Sequence, residues 1–368
     1  MNIERVEVFG YDLTYVHGRF VMSTGREVES LPSTVVRITT TDGIEGFGEV
    51  CPLGSTYLPA HAAGARAALS ALAPAIVGVD ASNLGAVEAA MERALSGHGY
   101  AKSAIDIACW DAFGKATNVP VCQLLGGRRS DELPLYAAVP LAPAADMTRY
   151  VEARRAEGFH RFQLKVGADP QADVARVRSV VGATGPDAVI VADANGGWSV
   201  QDAVVAVRAI GELERVFIEQ PCRTLGECLI VRARTTLPMI LDESIDSVHS
   251  LFRAYGERAM EAFNLKISKV GGLTRAKLIR DLAVALGLRL TIEDTWGGDV
   301  ITAAVSHLAA STPPETLFTV SFMNEWTHEH IGGYQPRPQL GVGSAPIGAG
   351  LGIEVDPQML GAPLFAVG

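Results

Sequence analysis

The fold class predicted by this sequence is a closed (β/α) barrel carrying an α+β cap, and three observations predict it. Past residue 125, short β-branched runs recur eight times, with stretches of helical period between most of them. The first 125 residues lack that alternation and read as antiparallel strands followed by Ala-rich helices. Six successive runs of the repeating part each end in one ionisable residue, as strands do when they carry a barrel's chemistry at their C-terminal ends.

In the first part, "RVEVFGYDL" and "STVVRITTTDGIEGFGEV" alternate like paired strands, with Asp42-Gly43 as the turn signal. "AHAAGARAALSALAPAIVG" and "AKSAIDIACWDAFGKA" follow with helical spacing. The segment 124–134, "LLGGRRSDELP", has the Gly, Pro and charge content of a joint, which sets a capping domain at 1–125 and a barrel at 126–334. The eight runs are "LPLYAAVP", "HRFQLKVG", "AVIVADAN", "RVFIEQP", "LPMILDES", "AFNLKISK", "LRLTIEDT" and "LFTVSF". Helical stretches such as "VQDAVVAVRAIGEL" and "LTRAKLIRDLAVALG" separate them, and eight units favour closure over an open sheet. The tail 335–368, including "GLGIEVDPQMLG", returns to the style of the cap and is expected to pack against it.

Composition narrows the function. The chain has 368 residues, 48% hydrophobic and 20% charged, which suits a well-cored soluble protein. It holds no apolar run long enough to span a membrane and shows no signal segment at its N-terminus. Five cysteines without a CxxC pair suit reduced thiols in a cytoplasmic setting. A net charge of −10 without a basic cluster argues against nucleic acid. The expected partners are a small molecule and further copies of the chain, with no nucleic acid and no membrane.

The six strand-end residues are Lys165, Asp193, Glu219, Asp242, Lys266 and Asp294, each about one βα unit from the next. One strand-end acid such as Asp193 in "VIVADANGGW" is commonly a helix cap or turn residue. Six in register point to a site. Asp193, Glu219 and Asp242 converging in a low dielectric would repel one another, and a hard divalent cation resolves the repulsion. Oxygen donors without His or Cys among them indicate Mg²⁺ rather than Zn²⁺. Lys165 and Lys266 flank the triad and are expected to face each other as acid and base, with pKa values lowered by the dication beside them and by the closed site. Lys269 reads as a supporting charge. The implied chemistry is removal of a proton α to a carboxylate, followed by inversion or by loss of a β-substituent. A barrel kept for binding alone, without turnover, would show loss of a ligand or a lysine, and none is lost.

These segments resemble the muconate lactonizing enzyme and mandelate racemase branch of the enolase superfamily along nearly the whole chain. The resemblance is carried by "AKSAIDIACWDAFGKATNVPVCQLLGG", "LKVG", "DANGGW", "IEQP", "LDES", "LKISKVGG" and "IEDTWGGD", in that order. It implies a (β/α)7β TIM-type barrel under an α+β cap, Mg²⁺ on Asp193, Glu219 and Asp242, and acid/base roles for Lys165 and Lys266. Asp294 would stand on the seventh strand, where some members place a His. The second-strand motif of the family is usually Lys-x-Lys, and here Gln163 takes the first place. That leaves the tuning of Lys165 open and suits Gln163 to a substrate carboxylate.

The stretches around "GSTYLPAHAAGARAAL", "SGHGYAKSAIDIACWD" and "EQPC" are most similar to enzymes acting on proline derivatives. These include cis-3-hydroxy-L-proline dehydratases and the epimerases of proline betaine and hydroxyproline betaine. The resemblance thus implies dehydration of cis-3-hydroxy-L-proline to a pyrroline carboxylate, with racemisation or 2-epimerisation of a proline betaine as the alternative. Segments 16–30 and 51–61 would close the site over a proline-like carboxylate. Tyr57 and Trp296, and less directly Trp326, would line the pocket near a ring nitrogen, where an aromatic face attracts a cation. Asn195 and Asp294 would bind substrate or support the ligands.

Overall fold

The computed structural model describes residues 1–211, 213 and 215–368. In the cap, β1 (Ile3–Thr14) pairs antiparallel with β2 (Ser30–Thr40), and β2 with β3 (Glu45–Val50) across the turn at Gly43. Helices α1 (Ala62–Ile76), α2 (Leu84–Ala94) and α3 (Gly99–Thr117) cover one face of that sheet around Val6, Val8, Val36, Ile38, Leu69 and Ile105. Two glycines allow α3 to lie directly on β3. A Cβ at Gly46 would stand 2.1 Å from the Ala108 carbonyl oxygen, and one at Gly48 would stand 1.9 Å from that of Ala104. Larger residues there would force the helix off the sheet.

Eight parallel strands follow: β4 (Ala137–Val139), β5 (Arg161–Lys165), β6 (Val189–Asp193), β7 (Val216–Glu219), β8 (Met239–Leu241), β9 (Ala262–Lys266), β10 (Arg289–Glu293) and β11 (Leu317–Val320). A bridge between Leu135 and Val320 and the bond from Tyr136 N to Val320 O (3.2 Å) join the last strand to the first. The barrel is closed. Each connection carries a helix: α4 (Ala144–Ala156), α5 (Pro170–Ala183), α6 (Val200–Ile210), α7 (Leu225–Arg232), α8 (Val248–Gly256), the short α9 (Ile267–Val270) with α10 (Leu273–Leu286), and α11 (Asp299–Ala310). The starts of these helices are locally encoded. Asp169, Ser199 and Thr224 cap α5, α6 and α7, and Thr224 forms a capping box with Glu227. The stretch expected as helix over 200–213 ends at Ile210, and residue 212 lies outside the described residues.

Inside the barrel, Val191, Ile240, Ala262 and Phe318 form a packed apolar layer. The larger core lies between strands and helices. Strand register then sets the next layer, because Lys165 pairs with Asp193, Asp193 with Glu219, and Lys266 with Glu293. Cap and barrel are joined by buried carboxylates. Glu49 of β3 accepts from the backbone N–H groups of Gly298 (3.0 Å) and Ile301 (3.1 Å) at the start of α11. Asp106 of α3 accepts from Thr274 N at the start of α10 (3.0 Å). The tail is shared between the two parts: Val342–Gly343 pairs with Leu133–Pro134, whereas Phe365–Val367 adds a strand beside β1. All five cysteines are buried and unpaired. No helix among the described residues is long and apolar enough to cross a membrane.

Candidate active site

The C-terminal ends of the barrel strands gather charge in a layer cut off from water. Asp193, Glu219 and Asp242 are 0, 2 and 1% exposed, and Lys165 and Lys266 are 7 and 6% exposed. A buried charge needs a partner, and here the partners are one another. Lys165 Nζ lies 2.5 Å from Asp193 Oδ2, and Lys266 Nζ lies 2.5 Å from Asp242 Oδ2. Both lysines line one small cavity, together with Tyr57, Gln163, Asn195 and Asp294. Each sequence-nominated residue can therefore be placed.

Gln163 differs from expectation. Its amide donates to both oxygens of Glu219, at 3.0 and 3.1 Å, and so holds a carboxylate of the protein. Tyr57 donates to Asp242 Oδ2 at 2.8 Å and accepts a close hydrogen bond from Lys266. Its ring also carries the Lys266 ammonium 4.9 Å from the centroid and the Arg26 guanidinium at 5.8 Å. Asn195 donates its backbone N–H to Asp193 Oδ1 (2.8 Å) and its side-chain amide to Glu243 (3.1 Å). The amide oxygen of Asn195 has no partner among the described residues. Asp294 accepts from Ser268 N at 2.9 Å and from the Ser268 hydroxyl, which pins the turn that follows Lys266. Lys269 reaches Asp242 Oδ1 at 3.0 Å, as a supporting charge would.

Three participants escaped the sequence reading. Glu293, one residue before Asp294, is a second acid beside Lys266, at 3.4 Å, and it accepts a close hydrogen bond from Tyr136. Asn264 donates to Glu219 Oε1 at 2.8 Å. The two-residue strand period could have found both, since Asn264 shares a face with Lys266, and Glu293 with Thr291. Tyr136 carries no such signal. Opposite the charges stands an aromatic wall in which Tyr15, Phe20, Trp296 and Trp326 pack together beside Tyr136. Trp296 lies 5.4 Å from Trp326 between ring centroids, and Phe20 stacks on Trp326 at 6.3 Å.

Among the protein's own groups, the lysines are governed by their carboxylate partners. Burial pushes Lys165 down, but Asp193 and Glu219 outweigh it and hold the ammonium above its ordinary value. Burial likewise opposes the charge on Lys266, and Asp242 and Glu293 outweigh it by more. The two lysines sense each other, since Lys266 lowers Lys165. Glu219 is pushed well above the usual carboxylate range, first by burial and then by the charges of Asp193 and Asp242. Among the described residues, no three His, Cys, Asp or Glu side chains are drawn together as a ready cage for an ion. The oxygens of the triad are instead taken up by ammonium and amide hydrogens. The donor set still suits one class of cation: three buried carboxylates on neighbouring strands, all oxygen, with repulsion at Glu219 that Lys165 offsets only in part. Those are the needs of a hard divalent ion.

Known proteins resemble this chain along nearly its whole length. Residues 8–126 match the family model of the mandelate racemase / muconate lactonizing enzyme N-terminal domain, and residues 146–359 that of the enolase C-terminal domain-like family. A cis-3-hydroxy-L-proline dehydratase of Roseibium aggregatum is 46% identical over 99% of both chains. An N-succinyl-L-Arg/Lys racemase of Bacillus cereus is 28% identical over 98% of this chain and 97% of its own. Among solved structures, a mandelate racemase/muconate lactonizing enzyme homologue from Roseovarius nubinhibens ISM, complexed with magnesium, superposes with a TM-score of 0.97. It is 34% identical, with all of both chains covered.

Proposed function

Since the chain belongs to the mandelate racemase/muconate lactonizing enzyme family of the enolase superfamily, we propose that it is a Mg²⁺-dependent hydro-lyase that dehydrates cis-3-hydroxy-L-proline to a pyrroline carboxylate. The observation that carries this reading is the pair of buried lysines, one at each flank of three buried carboxylates and both on the same cavity. In this substrate the hydroxyl and the carboxylate share one face of the ring, so the C2 hydrogen lies on the face opposite the hydroxyl. Removing both as water therefore needs a base on one face and an acid on the other. With the triad carboxylates holding a cation, one lysine loses the partner that keeps it protonated and, as the free amine, takes the C2 proton. The electron pair forms the C2–C3 double bond, the C3–O bond breaks, and the opposite lysine's ammonium supplies the proton that completes water. The resulting enamine tautomerises to the pyrroline.

Asp193, Glu219 and Asp242 are the residues that would hold Mg²⁺. When bound, the ion supplies positive charge that stabilises the electron pair delocalised onto the substrate carboxylate. Gln163 and Asn264 orient Glu219, and Lys269 and Tyr57 orient Asp242. Asn195 presents an unpartnered amide oxygen, which suits the N–H of a secondary amine. The five unpaired thiols fit a cytoplasmic setting, and the widely exposed Leu340 and Ile347 offer apolar surface for self-association into a homo-oligomer.

A second reading, racemisation or 2-epimerisation of a proline betaine, uses the same lysines without a leaving group. It is favoured by the aromatic lining, since Phe20, Tyr57, Tyr136, Trp296 and Trp326 all border the cavity and a quaternary ammonium seeks such faces. Incubation of the Mg²⁺-loaded enzyme with proline derivatives in D₂O separates the two. A pyrroline product from cis-3-hydroxy-L-proline supports dehydration, and deuterium at C2 of a betaine without elimination supports epimerisation. Turnover of an acid sugar with no proline derivative touched would overturn both.

A further inference from the structure

Trp296 lies just beyond the tip of β10, and its side chain is almost wholly enclosed, with 2% of the residue exposed. Tyr15, Phe20 and Trp326 pack around it edge to face, at centroid separations of 6.1, 5.7 and 5.4 Å. These rings satisfy the apolar part of the indole and leave its polar edge unmet. Nε1 is buried and has no acceptor among the described residues. An unpaired buried donor is uncommon in a native fold and calls for a cause, of which a ligand is one. Trp296 borders the same cavity as Lys165, Lys266 and Asn195.

We propose that the Trp296 Nε1–H donates a hydrogen bond to the β-hydroxyl oxygen of the substrate, which selects for that group and assists its departure. The inference rests on the dehydration reading. An indole N–H can only donate. The ring nitrogen of a prolinium cation also offers only hydrogens, so it is not the partner. Two kinds of oxygen remain, carboxylate and hydroxyl. The carboxylate is drawn to the charged layer of lysines and metal-holding acids. Trp296 belongs instead to the aromatic cluster shared with Leu13, Tyr15 and Phe20 of the cap, and that leaves the hydroxyl. As the C3–O bond breaks, negative charge grows on the departing oxygen and the N–H contact strengthens. The proton that completes water still comes from the lysine on that face, the C2 proton goes to the opposite lysine, and the indole keeps its own.

Trp296→Phe removes the N–H and keeps an aromatic ring. Two quantities are measured in the holoenzyme: kcat/KM for cis-3-hydroxy-L-proline, and Ki for L-proline, which has the same ring and carboxylate but no hydroxyl. The expected result is a fall in kcat/KM of roughly 10- to 100-fold, with the Ki held within about twofold. An unchanged kcat/KM overturns the inference, as does a Ki that rises in step with the loss, since that marks packing or a carboxylate contact. Should the Phe variant fail to fold, β-(3-benzothienyl)alanine at position 296 keeps the bicyclic outline without the N–H and is judged by the same two ratios. A wild-type enzyme that dehydrates no 3-hydroxyproline overturns the assigned reaction and this contact with it. An active wild type with an unaffected variant overturns the contact alone.

Discussion

At the floor of the cavity Lys165, Asp193, Glu219, Lys266 and Glu293 each close a barrel strand, about one βα unit or more from the next in sequence. At its roof the side chains come from unrelated places: Phe20 from the cap with Tyr15 packed behind it, Tyr136 from the entry to β4, Trp296 from the turn after β10, and Trp326 from beyond β11. The floor is polar, paired and held by strand register, whereas the roof is apolar and held by ring-to-ring packing. The difference separates two tasks. Floor residues can move protons and hold a cation, which is chemistry shared by many members of one fold. Roof residues mainly choose what is brought to them, with the Trp296 N–H, which also meets the departing hydroxyl, as the exception.

The sharpest test of that division is removal of the metal. A chelator, or Asp193→Asn with Mg²⁺ present, is expected to abolish turnover, and restored Mg²⁺ is expected to rescue only the chelated wild type. Full activity after chelation would place the chemistry somewhere other than the floor.

Next in size are the lysines. Lys165→Ala and Lys266→Ala are each expected to lower kcat by about 10²- to 10⁴-fold, the usual reach of a positioned acid or base. Far-ultraviolet circular dichroism checks that each variant has folded. Near-normal rates in both single variants would rule out the two-face mechanism.

A smaller change is expected at the roof. Trp326→Phe keeps a ring against Phe20 and Trp296 and shrinks its area, so KM for the substrate is expected to rise within about tenfold while kcat moves less than about threefold. Steady-state kinetics decides it. A fall in kcat as deep as that of a lysine variant would erase the distinction between floor and roof.

The same contrast explains how much of the molecule was legible in its sequence. The barrel could be read from eight alternating runs, and the floor from one ionisable residue closing each of six of them, because strand ends and βα spacing are local properties. Where the period blurred at a strand end, the reading slipped by one residue. The strand ends at Glu293, which faces Lys266, while Asp294, expected to bind substrate or support the ligands, borders the cavity and pins the Ser268 turn. Gln163 was read as facing substrate because a sequence cannot show that Glu219 lies within its reach from two strands away. The expected lowering of the lysines rests on a dication beside them, and among the protein's own groups the neighbouring carboxylates act in the opposite direction. The roof was hardly legible, since Tyr15, Phe20 and Tyr136 meet only through tertiary packing and share no period.

The smallest effect on catalysis is expected at His307, which is as buried as any floor residue but lies in neither region. Its Nδ1 accepts from Cys122 N at 3.2 Å and its Nε2 donates to the Leu351 carbonyl at 3.0 Å, so the ring is neutral with its proton on Nε2. A second proton would have to sit on Nδ1, facing an N–H. Burial, with the Arg128 charge adding to it, pushes the His307 pKa down to about 4 from an ordinary 6.5. A lowered pKa means that the stabilisation is full above pH 6.5 and is lost as pH falls toward 4. A shift of that size corresponds to about 3 kcal/mol, of which part is recovered by relaxation around the site. Buried Asp106 works in the opposite direction. Burial raises its pKa to about 6, so its strain is greatest above that pH and is relieved as pH falls toward 3.8. The net slope of the wild type thus mixes these groups with other buried carboxyls, Glu243 among them, which burial raises to about 7, and the informative quantity is the difference between wild type and His307→Asn. Urea midpoints measured from pH 7.5 to 4.5 are expected to fall more steeply for the wild type, with kcat at pH 7.5 unchanged within about twofold. Parallel slopes for the two proteins would mean that His307 is not the buried group that titrates.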